Sequence, residues 1–168
     1  MHLFRGQKRW NKELANLCGH EGPLRHGHVW PAWAYKNYAA EVDQGGRFVH
    51  LAKGKLDNHP ERYYWFCPRC ENEILGGWDK CGSRLCSAID KAPSAPVAYD
   101  ERLLKFSVSI SWRTAKAWLE RKGRKSFPEL RAACRQWKSY LLGNKHRVEP
   151  YSQHTPGRAL LATHVYCS

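Results

Sequence analysis

The chain has 168 residues, a net charge of +13, 42% hydrophobic residues, and eight Trp, eight Tyr and five Phe. That suffices for one packed domain, or one domain with a tail, whose core is rich in large aromatics. No apolar run approaches the roughly 20 residues of a membrane helix, and MHLFRGQKRW lacks the apolar stretch of a secretory signal, so no membrane association and a cytoplasmic site of action are expected.

The first candidate elements fall in LCGHEGPLRHGHVWP, residues 17–31. HEGPLRHGHV reads as a tight hairpin with Gly22 and Pro23 in its turn. Pro31 suits the start of a helix over AWAYKNYAAE, interrupted by Gly45 and Gly46. RFVHLAKG and ERYYWFC read as short strands, and the second runs into CPRC. ENEILGGWDK begins as a helix that Gly76 and Gly77 are expected to end or kink. KAPSAP, residues 91–96, reads as an extended linker. It divides a Cys/His-rich unit, residues 1–90, from a basic helical region, residues 97–168.

Residues 101–121 carry two signals. Phe106, Val108, Ile110 and Trp112 alternate with serines at strand period, whereas the flanks ERLLK and RTAKAWLERK favour helix; we predict one long helix. Ser126 and Glu129 form a capping box with Pro128 in the first turn. Leu130, Cys134, Trp137 and Leu141 then share one helical face, which Gly143 ends. The late stretch RALLATHVY reads as a strand that pairs elsewhere.

Seven cysteines, odd in number and with two close pairs, read as metal ligands rather than disulfides. Cys67 and Cys70 in CPRC supply half of a tetrahedral zinc site. Cys18 and His20 are the natural completion, giving a Cys3His structural zinc. A competing scheme takes Cys81 and Cys86 of CGSRLC with Cys67 and Cys70. Cys134 and Cys167 read as isolated. A zinc deaminase is excluded, because His20 and Glu21 are adjacent and the proline follows Cys67 instead of preceding it. Of the remaining histidines, His2, His50, His59, His146, His154 and His164 have no informative spacing.

The order C-G…H-V-x-P, then a strand, then C-x-x-C and a helix resembles the HNH nucleases of the ββα-metal type, over about residues 15–80. The resemblance implies an α+β fold: a small zinc-stabilised ββα-metal element followed by a basic, mainly helical half. It implies that His28 is the general base for phosphodiester hydrolysis and that Asn72 orients it. Glu71 and Asp79 would hold a catalytic Mg²⁺ or Mn²⁺. The chain departs from the pattern twice. Ala15 stands where a first knuckle cysteine is usual, and Gly27 stands where the residue before the base often binds the ion. His26, two residues from His28 on a strand, shares its face and is a candidate replacement.

Residues 101–147 hold thirteen Lys and Arg against three Glu, a local +10. A nucleic acid, double-stranded DNA first of all, is the expected partner. Arg113, Lys116, Arg121, Lys122, Arg124, Lys125, Arg131, Arg135 and Lys138 are the expected phosphate contacts. Two readings follow: a divergent HNH endonuclease, or a non-catalytic zinc protein serving as an accessory subunit of a nucleoprotein complex or as a phage- or plasmid-borne regulator or inhibitor. In the second, Trp30, Trp33, Tyr35 and Tyr38 offer an interaction surface.

Overall fold

The computed structural model describes residues 13–41, 48–50, 55–57, 59–94, 100–122 and 127–144. The chain turns back early. Strands β1 (Glu13–Leu14) and β2 (Glu21–Gly22) pair antiparallel, so the hairpin apex is the segment carrying Cys18, not Gly22–Pro23. Gly19, at φ +76°, makes the turn, and its amide donates to the Ala15 carbonyl at 2.7 Å. A left-handed backbone of this kind is cheap for glycine alone.

The next strand, β3 (Arg25–His28), does not fold back on β2 as expected. It pairs antiparallel with β6 (Arg62–Phe66), with His26 opposite Tyr64, Gly27 opposite Tyr63 and His28 opposite Arg62. This contact is long-range, so the local turn signal at Gly22–Pro23 could not reveal it. Between the two strands lie α1 (Ala32–Glu41), over the ten residues expected, and a small ribbon of β4 (Phe48–His50) and β5 (Lys55–Asp57).

After β6 the chain enters a π-helical segment, Cys70–Leu75, that continues into α2 (Gly76–Lys91). Gly76 and Gly77 do not end the helix. The Gly76 amide closes the wide turn onto the Glu71 carbonyl, and the helix continues as α2, which packs on α3. The long helix α3 (Glu101–Lys122) is as predicted, and α4 (Pro128–Leu141) follows. The residue before α4 is Phe127, at φ +67° with no side-chain cap; the expected cap, Ser126, lies outside the described residues. RALLATHVY and Cys167 lie outside them too.

The strand-like alternation in α3 has a simple cause. Every residue from Phe106 to Arg113 is buried, serines included, because α3 runs between α2 and α4. A helix covered on all sides shows no 3.6 period. Gly82 of α2 permits the close approach: a methyl there would lie 2.3 Å from the Phe106 ring. The core crosses the division expected at residues 91–96. Leu17, Val29, Trp65 and Phe66 pack in one cluster with Val108, Trp112 and Trp137. The fold is α+β, and no helix among the described residues is long and apolar enough to cross a membrane.

Candidate functional site

The β1–β2 hairpin is docked on β6 by the Asn16 amide, which donates to the Trp65 carbonyl at 2.7 Å. Docking brings Cys18 to the two cysteines that follow β6. The Cys18 and Cys67 sulfurs are 3.6 Å apart, and the ligand atoms of Cys18, Cys67 and Cys70 all lie within 4.8 Å of one another. Three such thiols could hold a metal ion. The Cys70 amide donates to Cys67 Sγ at 3.5 Å and the His20 amide to Cys18 Sγ at 3.4 Å. Burial raises the Cys18 thiol, but hydrogen bonds from the His20 amide and from the Cys70 and Cys67 thiols outweigh it and lower the pKa. Cys70 is raised, first by burial and then by its two neighbours. Such crowding of protons is relieved when a cation replaces them.

Cys67 and Cys70 are buried, whereas Cys18 is exposed, so the group opens to solvent on one side. His20 is exposed near that rim; its imidazole is not within the three-cysteine group. Cys81 and Cys86 lie on α2 outside the group, so the four-cysteine scheme is not assembled. Burial pushes the Cys86 thiol up to about 11. All six described cysteines are free.

The second candidate constellation lies at the β3–β6 ribbon. Gly27 is buried over Glu71: a methyl at position 27 would stand 2.4 Å from Glu71 Oε2 and 2.5 Å from Phe66 Cδ2. The absent side chain is therefore what lets the Glu71 carboxylate lie against the strand. Burial raises the Glu71 pKa, Asp79 adds to the rise and Arg113 opposes it. His28, half-buried at the end of β3, is pushed down to about 4 by desolvation, then by the charges of Arg62, Arg113 and His26. It is neutral at pH 7. Its Nε2 is buried with no hydrogen-bond partner among the described residues. His26 shares that face as expected and stacks on Tyr64 with ring centroids 4.7 Å apart. Asn72 is exposed on the π-helical segment. His26, His28, Glu71 and Asp79 do not converge as the cysteines do; among the described residues only the cysteines form such a group.

A cation already sits among these acids. Arg113, expected to face nucleic acid, is 2% exposed and forks across Asp79, donating to Oδ1 at 2.7 Å and Oδ2 at 3.2 Å. It also donates to the Ser109 hydroxyl at 3.2 Å. Asp79 is thereby engaged in an ion pair, and its carbonyl accepts from Trp33 Nε1 at 3.0 Å. Tyr35 lies beside His28 with ring centroids 6.2 Å apart. Burial raises its phenol to about 12, so it stays protonated. Only the tertiary fold shows these partners; Arg113 had no sequence signal separating it from the other basic residues of its helix.

Trp30, Trp33 and Tyr35 serve packing: Trp30 lies against both clusters, Trp33 packs on Phe106, and Tyr35 is buried. The side chain of Tyr38 lies outside the described residues. Of the expected phosphate contacts, Lys116, Arg131, Arg135 and Lys138 line a cleft between α3 and α4. Arg121 and Lys122 end α3, and their side chains, with Arg124 and Lys125, lie outside the described residues. No family model, curated protein or solved structure matches the chain.

Proposed function

We propose that this chain is a cytoplasmic, nucleic-acid-binding zinc protein on an HNH-like scaffold, acting without cleavage as an accessory subunit or regulator. The three cysteines favour zinc, which takes thiolates in tetrahedral sites; His20 or water would complete the four. The succession of β3, β6 and a helix opening on a CxxC pair is what supports the HNH-like reading. The basic residues of α3 and α4 support a polyanionic partner.

One observation carries the non-catalytic choice: the Arg113 guanidinium occupies Asp79 and acts on Glu71 and His28. These are the groups that would hold Mg²⁺ or Mn²⁺ and activate water in a nuclease. A buried guanidinium supplies positive charge there but presents no open coordination position to a phosphate oxygen.

The second reading, an active HNH-type endonuclease, is favoured by the neutrality of His28, the state a general base needs. Incubation of the protein with supercoiled plasmid and Mg²⁺ or Mn²⁺ separates the two. Salt-sensitive binding without nicking is expected. Nicking that disappears in His28→Ala would replace our choice with the nuclease.

A further inference from the structure

Four of the basic side chains expected as phosphate contacts converge. Lys116 of α3 and Arg131, Arg135 and Lys138 of α4 line a cleft of about 370 Å³, together with Asn16 of the β1–β2 hairpin that carries Cys18. Its one carboxylate is engaged: Glu120 Oε1 accepts from Lys116 Nζ and from Trp65 Nε1, both at 3.1 Å. Arg131, Arg135 and Lys138 meet no second carboxylate among the residues lining the cleft. Arg131 Nε is buried and lacks a hydrogen-bond partner among the described residues. A buried donor of this kind is costly unless an acceptor meets it. The charges of Lys116 and Arg135 both reach the Cys134 thiol, opposing the burial that pushes it to about 11. Their common place in the cleft lining puts these positive groups around one small volume.

We propose that this cleft binds the backbone phosphates of single-stranded nucleic acid, with Arg131, Arg135 and Lys138 as the donors. The inference rests on the nucleic-acid reading above and narrows it. The cleft's volume is at the small end of the range that encloses small ligands. It admits the phosphate and sugar of one flexible strand. A duplex is wide and stiff, and its convex rows of phosphates need an open face. A basic groove that tracks one backbone is a usual single-strand arrangement; Trp112 also lines the cleft. Trp112 is buried, so the contact is to phosphate more than to base, and little sequence preference is expected.

The test uses the full chain, a fluorescent single-stranded 12-mer, the matching duplex, and inorganic pyrophosphate as competitor. The single strand should bind at least about tenfold more tightly than the duplex, and pyrophosphate should displace it. Arg131→Gln and Arg135→Gln should each weaken binding about tenfold and lower the salt slope by about 0.7. Arg84→Gln, an exposed cation of α2 outside the cleft, should change neither. Arg135 is itself exposed, so its variant reports on binding even if Arg131→Gln folds poorly. Equal affinity for both nucleic acids, unmoved by Arg131→Gln or Arg135→Gln, would overturn the cleft assignment and leave the general nucleic-acid reading intact. Pyrophosphate binding that depends on Arg131, without binding of either nucleic acid, would overturn that reading too and make the cleft a free-phosphate site.

Discussion

Replacing Arg113 with Met removes a charge while keeping most of the side-chain stem. The guanidinium is 2% exposed and its partner Asp79 is 20% exposed, so the pair is largely shielded from water. Taking away one member of a buried pair typically costs about 3–5 kcal/mol, because the other charge is left unpaired. Asp79 retains some access to water, which puts the expected loss near the lower end, at about 3 kcal/mol. For a domain of this size that corresponds to a thermal midpoint lower by roughly 6–12 °C. Glu71 would also lose the charge that opposes the rise in its pKa, and its carboxyl would become still harder to ionise. Urea unfolding followed by tryptophan fluorescence reads the change directly. Adding Asp79→Asn to the variant should recover a substantial part of the loss, since it removes the stranded charge. A loss below about 1 kcal/mol for Arg113→Met would place the pair among ordinary surface ion pairs and refute the argument that this arginine locks the acids.

Stability should fall with acid through His28. Its folded pKa of about 4 lies below the ordinary 6.5, so the contribution of the neutral ring is complete above pH 6.5 and is lost as pH drops toward 4. In His28→Gln that stretch of the stability profile should flatten; an unchanged profile would mean the ring is not responsible. Purified protein should carry about one zinc per chain by elemental analysis, and a chelator or Cys70→Ser should lower the thermal midpoint. Because Asn16 borders the basic cleft and lies two residues from Cys18, the same treatments should weaken oligonucleotide binding; a metal-free chain of unchanged midpoint would refute the centre. Gly27→Ala should cost roughly 1–3 kcal/mol, since Phe66 is fully buried and cannot yield as the Glu71 carboxylate can. Urea midpoints check this, and a variant as stable as the parent would show that the strand shifts freely.

Elements whose cause is local were legible. Pro31 followed by AWAYKNYAAE, the aromatic run of β6, and the long stretch 101–121 each carry their propensity in adjacent residues, and each forms as expected. The CxxC pair likewise announces, from four residues, a turn whose thiols could hold a metal ion. The hairpin was misplaced because the choice of partner for β3 is made 34 residues or more away, at Arg62–Phe66. Gly27 looked like a missing ligand; in the fold it is the space that Glu71 and Phe66 need. Arg113, Lys116 and Arg131 are indistinguishable in sequence as cations of a basic helical segment. Burial against Asp79 separates the first, while the shared cleft gathers the other two.

The amino-acid sequence alone determined α1, α3 and α4, the CxxC turn and the excess of positive charge, because these follow from neighbouring residues and from composition. Only the tertiary structure decided which thiol joined Cys67 and Cys70, which arginine turned inward, and where the remaining cations met. Those outcomes depend on distances between segments far apart in the chain, and packing of Leu17, Trp65, Phe66 and Trp112 in one core is what sets them.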